Sequence, residues 1–193
     1  MEGNEAEKLT VFFETIGKLK KIRKTGMVKS GVKEAESVAD HSLRVAAMAL
    51  FLARKLGCDE NKLVKMAIVH DLHESICGDL TLDYTAYGSQ AGLPPEEKKR
   101  REMQAMEEFC ALLECGCEKD FKELWLEAEK GATKEAQVLH EIDKLEMLLQ
   151  AAEYQREGNG RADLFSLFYR VNEKEIKIPL LRKILEETVK RTP

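Results

Sequence analysis

Histidine is scarce in this chain, with four in 193 residues. Aromatic side chains make up 6% of the sequence, with one tryptophan, and there are only four prolines. No apolar run approaches the ~20 residues that a membrane-crossing helix needs, so no membrane partner is expected. An excess of one charge is lacking too. The 31 Lys and Arg are set against 35 Asp and Glu, for a formal net charge of −4. A binder of nucleic-acid polymers would more often carry a basic excess. The acidic N-terminus lacks the charged-then-apolar pattern of a secretory leader. Five cysteines make an odd number, and Cys115-Gly116-Cys117 is too tight for a CxxC redox or zinc pattern. These features predict a cytoplasmic protein with reduced thiols.

What the chain does have is apolar spacing of three and four almost throughout, with no sustained period-two alternation, which predicts an all-α fold. Leu9, Phe12, Phe13, Ile16 and Leu19 mark a first helix over about 5–21. Ser37 or Asp40 is placed to cap a second, with His41, Val45, Met48, Leu52 and Leu56 on one face and Gly57 as its stop. Residues 60–77 are apolar on most sides, the pattern of a central buried helix ended by Gly78. The stretch 80–95 reads as a long loop of the kind that often serves as a lid or binding loop. Helices are expected from Pro95 to about 115, over about 119–130 and over about 133–157, the last with Val138, Ile142, Leu145 and Leu149 as its core stripe. Gly158-Asn159-Gly160 breaks it, and Pro179 opens a final amphipathic helix. The length suits one domain over 1–193, with a core over about 8–157 and helices in 160–190 packed on it.

Three of the four histidines fall in two short clusters, Ala39-Asp40-His41-Ser42 and Val69-His70-Asp71-Leu72-His73-Glu74-Ser75. Imidazole and carboxylate together are the donor set of a borderline or hard divalent metal. On an α-helix His70 and Asp71 diverge by about 100°, so they flank one ion only if other helices complete its coordination. His41 alone on an apolar face reads as a core histidine; beside His70-Asp71 it reads as a ligand. Asp143, within an apolar helix, is the candidate fourth ligand, since a buried carboxylate is costly unless it is paired or metal-bound. A salt bridge to Lys144 or an arginine is its alternative. His73 and His140 could face the same site, yet the spacing matches no protease zinc motif, and both rank below the other four. The basic run Lys18–Lys24 reads first as a solvated helix end and second as an anion-binding feature.

The set His41, His70-Asp71 and Asp143 resembles the HD-domain metal-dependent phosphohydrolases. The segment Glu36-Ser37-Val38-Ala39-Asp40-His41-Ser42, followed by His70-Asp71-x-x-Glu74-Ser75-x-x-Gly78-Asp79-Leu80, resembles more closely their 5′-deoxynucleotidase branch, the YfbR-type and HD-domain-containing-protein-2-type enzymes. Lys98-Lys99-Arg100-Arg101-Glu102 and the run Asp143–Ala151 resemble it as well, and the likeness spans about residues 8–157. It implies an all-α HD-domain bundle around a central metal site. It also implies one divalent ion (Mn, Co, Zn, Ni, Fe or Mg) on His41, His70, Asp71 and Asp143, further active-site acids at Glu74 and Asp79, and a homodimer. The activity implied is phosphate release from deoxynucleoside 5′-monophosphates, with Glu74 catalytic and Asp79 at the substrate. Where such enzymes carry an arginine and a tryptophan, this chain has Arg23-Lys24-Thr25-Gly26-Met27. Lys24 aligns with the arginine, Arg23 lies one residue off, and this segment holds no tryptophan. Rival readings are a nucleotide pyrophosphatase or triphosphohydrolase, a non-catalytic nucleotide or metal sensor, and a structural bundle with internal salt bridges.

Overall fold

In the computed structural model, residues 2–82, 92–113 and 117–193 are described, with side chains from Glu5 onward. The central part of the expected 80–95 loop therefore lies outside the described residues. The helices are α1 (Glu2–Gly17), α2 (Thr25–Lys29), α3 (Val38–Leu56), α4 (Glu60–Val69), α5 (Glu74–Cys77), α6 (Pro95–Cys110), α7 (Glu118–Lys130), α8 (Lys134–Arg156), α9 (Leu164–Asn172) and α10 (Pro179–Lys190). Short 3-10 turns follow α1 and α9. Among the described residues there is no strand, only the isolated bridge pairs Arg23–Ser37 and Leu82–Leu93.

Both proposed caps of α3 are used together. Ser37 accepts from the Asp40 amide, and the Asp40 carboxylate accepts from the Ser37 amide and hydroxyl. This reciprocal box satisfies two of the amides that every helix N-terminus leaves open. Gly57 ends the helix at φ 67°, a conformation that costs a glycine little. Between these signals the buried positions Val38, His41, Val45, Ala49 and Ala53 follow helical spacing.

The central helix is α8, rather than residues 60–77. It packs against α3, α4, α7, α9 and α10, and Ala136, Leu139, Ile142, Leu145, Leu148, Ala151 and Ala152 are buried on several of its sides. Ile68 on α4 is 51% exposed. The expected 60–77 helix is also interrupted. From Leu72 to Ile76 the amides of Leu72, Glu74, Ser75 and Ile76 bond the carbonyls three residues back, at 3.0–3.2 Å, which winds the chain at about three residues per turn. The His70 carbonyl accepts instead from the indole N–H of Trp125 at 3.2 Å. Periodicity could not reveal this, because the apolar pattern runs on across the break.

Two buried apolar clusters hold the helices. One gathers α3, α4, α8, α9 and α10. The other joins Phe12, Leu19, Val38, Val69 and Leu72 to Met106, Phe109 and Trp125. In the first helix Phe12 is buried, whereas Phe13 is 62% exposed. Cys58, Cys77 and Cys110 are free thiols. Cys117 is disulfide-bonded, which corrects the expectation of a fully reduced chain; an odd cysteine count leaves room for one pair.

Candidate metal centre

Helix α3 delivers His41 near its capped N-terminus, the break after α4 delivers His70 and Asp71, and α8 delivers Asp143. Donor atoms of His41, His70 and Asp143 lie within 4.8 Å of one another. His41 Nε2 is 3.1 Å from Asp143 Oδ1 and 3.7 Å from Asp71 Oδ2, and His70 Nε2 is 3.3 Å from the same Asp71 oxygen. The four residues singled out in the sequence thus converge.

The tautomers are fixed from behind. His70 Nδ1 is 2.7 Å from the Ala67 carbonyl, which can only accept, so Nδ1 carries the proton. His41 Nδ1 is in close contact with a Glu146 carboxylate oxygen and donates in the same way. Both Nε2 atoms are buried and make no hydrogen bond among the described residues. Two imidazoles anchored at Nδ1 and presenting Nε2 beside two carboxylates are the donor arrangement of a divalent ion, and an acceptor on the distal N–H is the usual companion of a metal-bound histidine. The residues fit such an ion.

Glu146 is the residue that sequence reasoning missed. It is fully buried and is shared between His41 and Arg44, whose Nε donates to Oε1 at 2.8 Å. Arg44 extends the network to Gln150 at 2.7 Å and Glu153 at 2.8 Å. Its signal was present: Glu146 is three residues after Asp143, hence on nearly the same face of α8. Glu36, also within 4.8 Å of the His41–Glu146 pair, has its carboxyl pushed up to about 7 by burial and by the Glu146 charge.

Lys24 enters the site and Arg23 does not. Lys24 Nζ is 3.3 Å from Asp71 Oδ2, 3.1 Å from Asp79 Oδ1 and 3.7 Å from Glu74 Oε1. Burial pulls the ammonium down, yet the three carboxylates hold it well above the usual lysine range. Arg23 is exposed, with Nη1 donating to the Ala35 carbonyl at 2.8 Å. Asp79 follows Gly78, which at φ 77° turns the chain back on itself. Its carboxylate accepts from the Thr25 amide at the start of α2, and its carbonyl accepts from Thr25 Oγ1 at 2.7 Å. Asp79 thus anchors the segment that carries Lys24.

At three residues per turn, Asp71 and Glu74 are eclipsed. Asp71 and Glu74 both face Lys24 Nζ, at 3.3 and 3.7 Å. Glu74 is 5% exposed, and its carboxyl is pushed well above the usual carboxylate range, first by burial and then by the Asp71 charge, against the pull of Lys24. Asp143 makes the alternative salt bridge as well: Oδ2 accepts from Lys144 Nζ at 3.0 Å while Oδ1 faces His41. Its carboxylate is held well below the usual range, where burial is outweighed by Lys144 and His41.

The two lower-ranked histidines stand apart from this cluster. His73 packs edge-on to Trp125, with centroids 5.3 Å apart, and His140 is exposed next to Gly131. Both line the same cavity as the metal centre, which measures about 590 Å³ and so lies within the range of small-molecule sites.

Residues 16–182 match the family model of the HD domain. The chain is 39% identical over 182 residues to the 5′-deoxynucleotidase HDDC2 of Dictyostelium discoideum, covering 90% of this chain and 92% of that one. It is 37% identical to the human 5′-deoxynucleotidase HDDC2 over 79% of this chain and 71% of that one. A conserved hypothetical protein from Pyrococcus furiosus superposes with a TM-score of 0.71 at 35% identity, over 94% of this chain and 99% of that one.

Proposed function

The chain belongs to the HD-domain family, and on that premise we propose that it is a metal-dependent 5′-deoxynucleotidase that releases phosphate from deoxynucleoside 5′-monophosphates. The observation that carries the reading is the convergence of two Nδ1-anchored imidazoles and two carboxylates beside Lys24 and Glu74. The deoxynucleotidase names of relatives at 37–39% identity supply the substrate class.

His41, His70, Asp71 and Asp143 hold the divalent ion, drawn from Mn, Co, Zn, Ni, Fe and Mg. When bound, the ion acidifies water and polarises the phosphoryl oxygen. Lys24 holds the phosphate; it supplies a point charge where a bidentate arginine stands in similar enzymes. Glu74, whose surroundings favour the protonated carboxyl, gives its proton to the leaving 5′-oxygen. Asp79 fixes the Lys24 loop and stands within the same cavity to meet the sugar. Arg23, turned to the Ala35 carbonyl, has no part in this scheme. Met27, in the loop where the resemblance places a tryptophan, is buried at 1% exposure and lines the cavity. With no tryptophan in that loop to crowd a 2′-hydroxyl, ribonucleotides are partly accepted.

The test is phosphate release from dAMP, AMP, dATP and an aryl phosphate by protein stripped of metal and reloaded with one metal at a time. Turnover is expected only with metal, with dAMP best and AMP measurable. Glu74→Gln keeps its metal and loses about 10²-fold or more in kcat. Preference for dATP with pyrophosphate or triphosphate released moves the protein to the triphosphohydrolases. No turnover at full metal occupancy makes it a sensor.

A further inference from the structure

One wall of the cavity is built from ionisable groups that the metal centre does not use: His73 from the break, Lys98 and Glu102 from α6, Glu129 from α7 and His140 from α8. His73 is 3% exposed, and both of its ring nitrogens are buried with no hydrogen-bond partner among the described residues. Its Nε2 is 3.7 Å from Glu102 Oε1, beyond hydrogen-bond reach. The ring cannot turn freely to find another partner, because it is packed edge-on against Trp125. Glu102, 7% exposed, is in close contact with Lys98 Nζ. Glu129 completes the group: the residue keeps an exposed surface, yet desolvation at the cavity wall pushes its carboxyl up, as does the neighbouring Glu102 charge, and His73, Lys98 and His140 lie close enough to oppose this.

A nucleotide has a doubly charged end and a neutral end edged with donors and acceptors. The cavity is divided in the same way. Lys24 and Lys144, beside the carboxylates of Asp71 and Asp143 that would hold the ion, make the phosphate end. The His73 wall carries two carboxylates against one ammonium, and that ammonium is already paired with Glu102, so it does not attract phosphate. It offers what a base edge needs: carboxylate oxygens that accept, and an imidazole whose two buried ring nitrogens have no partner among the described residues.

We infer that this wall receives the nucleobase and that it selects the amino-bearing bases, cytosine, adenine and guanine, over thymine. The inference rests on the deoxynucleotide reading above. Each amino-bearing base presents two N–H groups on one edge, either both hydrogens of the amino group or, in guanine, a ring N–H beside the amino group. Glu102 and Glu129 accept these, and His73 meets the adjoining ring nitrogen or carbonyl. Thymine presents one N–H between two carbonyls, so one carboxylate faces an oxygen and stays unpaired, which is the kind of mismatch that a polar site penalises most.

The test compares kcat/KM for dCMP, dAMP, dGMP and dTMP with the metal-loaded enzyme, and measures equilibrium binding of deoxycytidine and thymidine beside it. A preference of roughly tenfold or more against dTMP is expected, with deoxycytidine binding tighter than thymidine. Glu129→Gln gives thymine an N–H donor in place of a carboxylate and should flatten the ratio. Its side chain is at the exposed end of the wall, so this variant folds even if Glu102→Gln does not. The readout is a ratio within each protein, so a general loss of rate cancels. Equal kcat/KM for all four nucleotides, or a ratio unchanged in both variants, overturns the base assignment and leaves the phosphatase reading intact. Hydrolysis of none of the four overturns the phosphatase reading, and the nucleoside binding comparison then decides the base wall by itself.

Discussion

Glu146 has no solvent contact, and its two oxygens serve one imidazole and one guanidinium. Replacing it with glutamine removes the charge and lets an amide N–H point at His41 Nδ1, which then has no acceptor. Metal affinity is expected to fall about 10- to 100-fold in Glu146→Gln, the usual cost of losing a group that orients a metal-bound histidine. Asp143→Ala should lose the ion outright, and elemental analysis of the two variants after gentle purification separates these cases. An Asp143→Ala protein that retains one ion per chain removes Asp143 from the ligand set. Cys77 tests the electrostatics of the same region from outside the metal set. Its thiol is pushed up to about 12, first by burial and then by the neighbouring Glu74 and Glu102 carboxyl groups, so at pH 8 it is almost wholly protonated. Iodoacetamide is expected to leave Cys77 unmodified in the folded protein and to label it after denaturation.

At the scale of the element, α3 is the most exposed to a single change, because its capping box lies immediately before His41. Ser37→Ala removes one side of the box and should cost about 1 kcal/mol in chemical denaturation. The partner Asp40 has its carboxyl lowered by its hydrogen bonds to Ser37. A depressed folded-state value means stability that is present above the ordinary carboxylate range, near pH 4, and lost as pH falls through the lower folded value. The acid limb of the stability curve should therefore flatten in Ser37→Ala. This helix was legible in the sequence from cap to Gly57 because each signal is local. The Pro95 and Pro179 starts were legible for the same reason. The break after Val69 was not, since it is held by the Trp125 indole from α7 and by the 3-10 bonds that follow, and no spacing rule records a partner 55 residues away. Four ligand candidates could be named from residue type and register, and Lys24 from alignment. Glu146 and the turning away of Arg23 depend on which helix faces pack, which only the tertiary structure shows.

At the scale of the whole molecule, the apolar surface is uneven. Leu43 and Phe51 on α3 are 73% and 75% exposed, Leu50 between them is 46% exposed, and Ile68 on the adjoining α4 is 51% exposed. Side chains seven and eight residues apart share one side of a helix, so α3 presents an outer apolar line opposite the face that carries His41. The homodimer that the family resemblance implies is tested on this line. Phe51→Lys, placed far from the metal ligands along α3, is expected to shift the protein toward monomer in sedimentation or light scattering while it keeps its metal. A wild type that is monomeric at high concentration removes the homodimer.

Trp125 is the only tryptophan in the chain. Its indole donates to the carbonyl of His70, and its ring lies against His73. The tryptophan emission of this protein therefore comes from a single fluorophore that is hydrogen-bonded to the backbone of a candidate metal ligand. Loading the site pins the His70 imidazole and alters the field at the indole, so titration with metal alone should change the intensity or wavelength of that emission. Occupancy and affinity could then be followed by light in the native protein, without substrate and without a label.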